Sequence, residues 1–374
     1  MPNSIERLQI RLAQMGLILT HPWGQFSRPH LPPPPHPESI LIIRLDHLGD
    51  LVMSQPAIAA VRRFYPKAKI ALLCASWNIP VAEMIPGIDE VLTLNAPWHR
   101  GGNGWKAVRS FLAENRLRRF DLGIALRQWL GDLWLLSRIN CDYRLGYSMV
   151  GIKPLLSYTM PLPPDPIHAT DLALSLLTPL GIPVVSGTTP TLIPTAKGEQ
   201  EAGAFVSEHN LVAGKFFALH IESRQQPRSW SLPEAIRLCM KLEEAYGIPT
   251  VILGGKGEEE RYDRIVCGHD YLINAAGKLP LAGSFSLLGR AKAFVGVDSG
   301  PAHLAAAADI PTLVLWSGQV PSHKTMPRGK AVKIIQNQCR KAPCYELSCP
   351  FPDTSCMMAF ITESVLAELE PMIS

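Results

Sequence analysis

Twice along this chain, short apolar runs rich in β-formers alternate with segments of helical spacing, a pattern that few folds tolerate. The first series is Ile40 to Leu45, a helix through Val61 and Phe64, Ile70 to Cys74, Val91 to Leu94, a helix near Trp105 to Asn115, and Leu122 to Leu126. A Pro- and Thr-rich stretch from Pro179 to Pro194 interrupts it. The second series runs through Phe216 to Ile221, Thr250 to Leu253, Leu272 to Asn274, Ala293 to Val297 and Thr312 to Leu315. Strands returning through helices build parallel sheets with right-handed crossovers. The expected fold is therefore α/β, with two Rossmann-like domains whose parallel sheets face a central cleft, since open sheets of this kind bind ligands beyond the C-terminal ends of their strands.

A length of 374 residues exceeds what one hydrophobic core usually fills. We expect an arm over 1–38, a first Rossmann-like domain over 39–185, a linker over 186–207 and a second Rossmann-like domain over 208–374. In the arm, Ile5, Leu8, Leu12, Met15 and Leu19 form the apolar stripe of an amphipathic helix, and Pro32 to Pro35 form a stiff spacer. Such a helix either packs back on the body or meets a membrane surface or partner. No apolar stretch approaches the roughly 20 residues that span a bilayer, and no secretory signal pattern stands at the start, so the expected location is cytoplasmic. A net charge of +4 is too small in a chain this long to imply nucleic acid, and no dense Lys/Arg run appears. It suits an anionic substrate or an acidic membrane surface. Cys74, Cys141, Cys239 and Cys267 lie among apolar segments in the manner of buried free thiols, which fits a reducing compartment.

Three turns carry residues fit for chemistry. In LIIRLDHLGDLVMSQP, Gly49 lets the backbone pass close to a ligand at the strand-to-helix turn and Asp50 follows it. Asp50 there serves equally well as a helix cap or a base, and Asp46 is the competing carboxylate. In AFVGVDSGPAHLAAAADIP, the turn Asp298-Ser299-Gly300 opens a small-residue helix through Pro301. Ser299 is suited to capping, and the free amides at a helix start make an anion site fit for a diphosphate. His303, in the first helical turn, either donates to a phosphate or sugar or is structural. In FFALHIESRQQPRSW, the strand end leads to Ser223, Arg224 and Arg228, and arginine grips diphosphates through paired hydrogen bonds. Further on, VILGGKGEEE places Gly254 and Gly255 after a strand and Glu260 where an acid can accept from ribose hydroxyls.

These segments, in this order, resemble glycosyltransferase family 9, the lipopolysaccharide heptosyltransferases, over about residues 39–370. The resemblance rests above all on VGVDSGPAHLAAA, with Gly49-Asp50, the RSW segment and the GGKGEEE turn in support. It implies a GT-B fold and inverting transfer of heptose from an ADP-sugar to a lipid-linked or oligosaccharide acceptor, with no cofactor; peripheral contact at the inner face of the inner membrane stays open beside a purely cytoplasmic location. It also implies Asp50 as catalytic base and Asp298 as the acid on donor-sugar hydroxyls. Ser299, Gly300 and Ala302 fall where backbone amides meet the diphosphate, with His303 as the histidine of the same motif. Glu260 falls at the ribose and the loop of Lys278 and Leu279 near the adenine. Arg228 stands where relatives carry lysine, which keeps the charge and alters the geometry. Pro301 has no N–H to offer a phosphate.

Cys339, Cys344, Cys349 and Cys356 crowd near the C-terminus, a feature shared by many family members. Their spacing differs from paired CxxC knuckles, so packed thiols are expected and a metal is the lesser alternative. The chain has no Asp-x-Asp motif, in keeping with metal-independent transfer. Two other readings remain open: a nucleotide-sugar epimerase of similar two-domain fold, which needs donor alone, and a non-catalytic nucleotide-sugar-binding protein. A carboxylate at Asp50 argues against the second.

Overall fold

The computed structural model describes residues 32–99, 101–148, 155–223, 225–346, 348–351 and 355–374. The amphipathic stripe expected over residues 5–19, and Arg224, lie outside them. The chain divides into two compact units between Thr188 and Thr189.

In the first unit the elements follow in order: β1 (Ser39–Arg44), α1 (Leu48–Phe64), β2 (Lys69–Cys74), α2 (Ile79–Met84), β3 (Glu90–Thr93), α3 (Gly104–Glu114), β4 (Phe120–Ala125), α4 (Leu130–Arg138), β5 (Cys141–Tyr147), β6 (Tyr158–Met160) and α5 (Ala169–Ser175). Six strands make one parallel sheet in the order β3-β2-β1-β4-β5-β6. Ile40, Leu41, Ile42 and Ile43 of β1 are fully buried because helices cover both faces, which is why the strand reads as an unbroken apolar run. The strand β5 carries no such run. Its Arg144 is buried and donates to the carbonyls of Leu136 and Ile139 at 3.3 and 3.2 Å, so a charge hides inside a strand that pattern reading passes over.

The second unit follows with α6 (Ala196–Glu208), β7 (Phe217–His220), α7 (Leu232–Tyr246), β8 (Thr250–Ile252), α8 (Glu259–Val266), β9 (Leu272–Asn274), α9 (Leu281–Leu288), β10 (Ala293–Val297), α10 (Gly300–Ala307), β11 (Thr312–Trp316), α11 (Ser322–Thr325), β12 (Val332–Gln336) and α12 (Thr362–Ile373). Its parallel sheet runs β12-β11-β10-β7-β8-β9, the same order as the first when each unit's strands are counted from their own start. The segment expected as a linker over 186–207 is not extended throughout. Thr195 caps α6 by accepting the Gly198 amide at 3.0 Å, and α6 packs on α9. Gly198 is where they touch, since a Cβ there would stand 2.7 Å from the Ala282 carbonyl oxygen.

In both sheets the direction of winding reverses between the unit's first and fourth strands, β1 with β4 and β7 with β10. The loops leaving the C-terminal ends of these pairs are where a doubly wound sheet receives its ligand.

Candidate active site

At the first reversal point, Arg44 ends β1 with its side chain 7% exposed. Its Nε pairs with Asp46 Oδ1 at 2.9 Å, its Nη2 reaches Asp50 Oδ1 at 3.3 Å, and its Nη1 donates to the Leu126 carbonyl at 3.4 Å just beyond β4. Arg127 pairs with the other oxygen of Asp46 and lies 4.8 Å over the Trp129 ring. The Asp46 carbonyl accepts from Trp77 Nε1 at 3.2 Å and Asn78 Nδ2 at 2.8 Å. Beside this group, His99 stacks on Trp129, and Asp132 Oδ1 receives Trp98 Nε1 at 2.8 Å and lies 2.9 Å from His99 Nε2.

The two carboxylates differ in their surroundings. Burial works to raise Asp46, but Arg127, Arg44 and His99 outweigh it and hold the carboxyl below its ordinary value of 3.8. With a side chain 1% exposed and both oxygens on guanidiniums, Asp46 has no face to offer a substrate. Asp50 is 25% exposed and touches Arg44 with one oxygen. Gly49 and Asp50 lie inside the first turn of α1, not in the turn before it, and the helix starts at His47 without a side-chain cap. An acid in a first helical turn is favoured by the helix dipole.

At the second reversal point, Ser299 precedes α10 in extended conformation and makes no cap bond, contrary to the capping expected of it. Its hydroxyl contacts His220 Nδ1 at 3.0 Å, at the end of β7, and the Val297 carbonyl at 3.1 Å. Burial pushes the His220 imidazole down to about 4, so it is neutral near pH 7. Arg228 Nη1 pairs with Asp298 at 2.8 Å, and Arg228 Nε donates to Gln319 Oε1 in the loop after β11. Ser223 belongs to the same loop as Arg228, and its amide donates to Ser229 Oγ at 3.1 Å. The Ala302 amide, expected on a phosphate, donates to the Ser299 carbonyl at 3.2 Å. Gly300 opens α10, and His303 is buried in its first turns.

The remaining sequence candidates lie beyond the C-terminal ends of β8 and β9. Gly254 is pressed close, since a Cβ there would stand 2.6 Å from Ala276 and 2.7 Å from Glu258 Oε2. The Gly255 amide donates to Glu258 and the Gly257 amide to Glu259, both at 2.6 Å. Glu260, the expected ribose acid, is the exposed member of the three. Lys278 is tied to Asp263 at 2.8 Å, and Leu279 is half-buried against Gly283. Cys74, Cys141 and Cys239 are buried free thiols, whereas Cys267, expected buried, is exposed at the end of α8. Cys339, Cys344, Cys349 and Cys356 are half-buried free thiols, and among the described residues no group of three or more His, Cys, Asp or Glu is arranged to hold a metal. No helix of the described residues is long and apolar enough to cross a membrane.

Residues 208–354, which include the second reversal point, match the family model for glycosyltransferase family 9 (heptosyltransferase). Lipopolysaccharide heptosyltransferase 3 of Escherichia coli strain K12 is 27% identical over 280 residues, covering 72% of this chain and 79% of that protein. Over these segments the chain is similar to glycosyltransferase family 9. A family 9 glycosyltransferase from Veillonella parvula superposes with a TM-score of 0.77 at 20% identity, covering 90% of this chain and 97% of that one. The E. coli ADP-heptose lps heptosyltransferase II gives 0.73 at 18% identity, covering 90% and 98%. The fold is GT-B, and the chain is a heptosyltransferase-like glycosyltransferase.

Sequence reading passed over three residues that this transferase places at its reversal points. Arg44 carried a usable signal, a cation closing a buried apolar strand. Arg127 and Gln319 carried none, because their partners lie 81 and 91 positions away.

Proposed function

We propose that this chain transfers heptose from a nucleoside-diphosphate heptose, ADP-heptose first, to a lipopolysaccharide core or related glycan, with inversion at the anomeric carbon. The second unit carries the donor, with Arg228 and the start of α10 taking the charge that gathers on the departing diphosphate. Asp298 takes the donor-sugar hydroxyls, Glu260 the ribose, and the Lys278-Leu279 loop the adenine. Asp50, of the first unit, removes the acceptor hydroxyl proton as the oxygen attacks. Peripheral contact with an anionic membrane surface belongs to the same reading, supported by the net charge of +4.

The observation that carries the reading is the start of α10. It lies within the segment matching the heptosyltransferase family model, and its serine hydroxyl is spent on His220 rather than on the helix amides that an anion would use. The names of the relatives, lipopolysaccharide heptosyltransferases 1 and 3 among them, support heptose and this acceptor class.

The test is incubation with ADP-heptose and lipopolysaccharides truncated at successive positions of the core, read by mass spectrometry. One truncated acceptor should gain a single heptose, and ADP-heptose alone should stay unchanged. Change of the donor without acceptor would favour an epimerase, and binding without product on every acceptor would favour a carrier protein.

A further inference from the structure

We infer that Gln319 is a positioning residue of the donor site, an amide that holds the Arg228 guanidinium in place without neutralising it, and that the cysteine-rich segment is the brace of its loop. This rests on the reading that the second unit binds a nucleoside diphosphate.

Gln319 is 2% exposed, and each of its polar atoms is engaged. Its side-chain oxygen accepts from Arg228 Nε and its side-chain nitrogen donates to the Glu346 carbonyl. Its backbone N–H donates to Ser317 Oγ at 3.3 Å, and its backbone oxygen accepts from the Tyr345 amide at 3.0 Å. An arginine only donates and a carbonyl only accepts, so the amide has one permissible orientation. The loop is clasped from outside: the Gly318 amide donates to Cys356 Sγ at 3.2 Å, and its carbonyl accepts the Cys344 amide at 3.0 Å.

The choice of an amide over an acid has an electrostatic reason. Asp298 already places one negative charge on Arg228 Nη1 at 2.8 Å. A glutamate at 319 would place a second on Nε and turn the group net negative where a diphosphate must dock. A neutral amide fixes the guanidinium plane through Nε, and Nη2 takes part in neither contact. Planar, two-point grip of phosphate depends on that plane being held.

The experiment is calorimetric titration of the full chain with ADP, UDP, GDP and CDP, followed by the tightest of them on Gln319→Met and Gln319→Glu, each alone and combined with Arg228→Ala. Gln319→Met should weaken binding ~10-fold, the loss of about one charge-assisted hydrogen bond. Gln319→Glu, nearly the same shape, should weaken it ~100-fold; its melting temperature should also fall, because the bond donated to the Glu346 carbonyl becomes an oxygen–oxygen contact. In Arg228→Ala, neither change should matter by more than about 2-fold, since Gln319 acts through that arginine. Wild-type affinity in Gln319→Glu, or an equal loss with and without Arg228, overturns this inference alone. Failure of the wild-type chain to bind any of the four overturns the donor reading and this with it.

Discussion

Asp46 and Asp50 stand four positions apart in the sequence, yet their surroundings give them opposite chemistry. Asp50→Asn should lower heptosyl transfer by ~10²- to 10⁴-fold, with the melting temperature held, as loss of a general base does; wild-type turnover in that variant would remove Asp50 from the mechanism. Asp46→Asn should act on stability instead, costing about 3–5 kcal/mol in urea unfolding, because it leaves two guanidiniums facing each other without the acid between them. The pH dependence follows from the direction of its shift. A carboxyl held below 3.8 in the folded chain contributes stability above that value and loses it as pH falls through the lower folded value, a loss that Asp46→Asn should lack. His220 works the other way along the scale. Held near 4 against 6.5 unfolded, it stays neutral while the unfolded chain takes up a proton, so stability falls as pH drops from about 6.5 to about 4. Melting curves should show that decline, worth ~3 kcal/mol, reduced in His220→Gln.

Among the elements, α6 and α10 show how small residues set helix placement. Ala normally helps a helix relative to Gly, but Gly198→Ala should destabilise the chain by about 1–3 kcal/mol, because the added carbon meets backbone 2.7 Å away on α9 and cannot be accommodated by a rotamer. A gain in melting temperature would show that α6 and α9 are held apart. The alanine run of α10 permits similar closeness, with Ala302, Ala305 and Ala306 buried beside β10 and β11. The start of α10 is more telling. A serine at a helix start reads as a cap, and sequence pattern assigns it that duty; here His220, 79 positions earlier, takes the hydroxyl instead.

Both units repeat one strand order, and in each the winding reverses between its first and fourth strands. A ligand that binds only the folded second unit must raise stability by mass action. ADP at about 100 times its dissociation constant should add ~2.7 kcal/mol, seen as a rise in melting temperature. No rise with ADP but one with another nucleoside diphosphate would change the donor base while leaving the transfer reading standing.

The amino-acid pattern alone was enough for the α/β class, for two series of strands and for most strand positions within a residue or two, because a parallel strand buried on both faces must be written as a short apolar run. It missed β5, which hides the buried Arg144 among its apolar residues, and β6 and β12, which lie at the sheet edges. It located the turn at Asp298 ahead of α10, and it set Gly49 and Asp50 in a turn when they lie inside the first turn of α1. What folding alone settled is which groups face one another: Asp46 consumed by Arg44 and Arg127, Ser299 turned to His220, Arg228 shared by Asp298 and Gln319. Hydrogen bonds and ion pairs act over about 3 Å in space, and nothing in local sequence encodes which residue scores of positions away will arrive there.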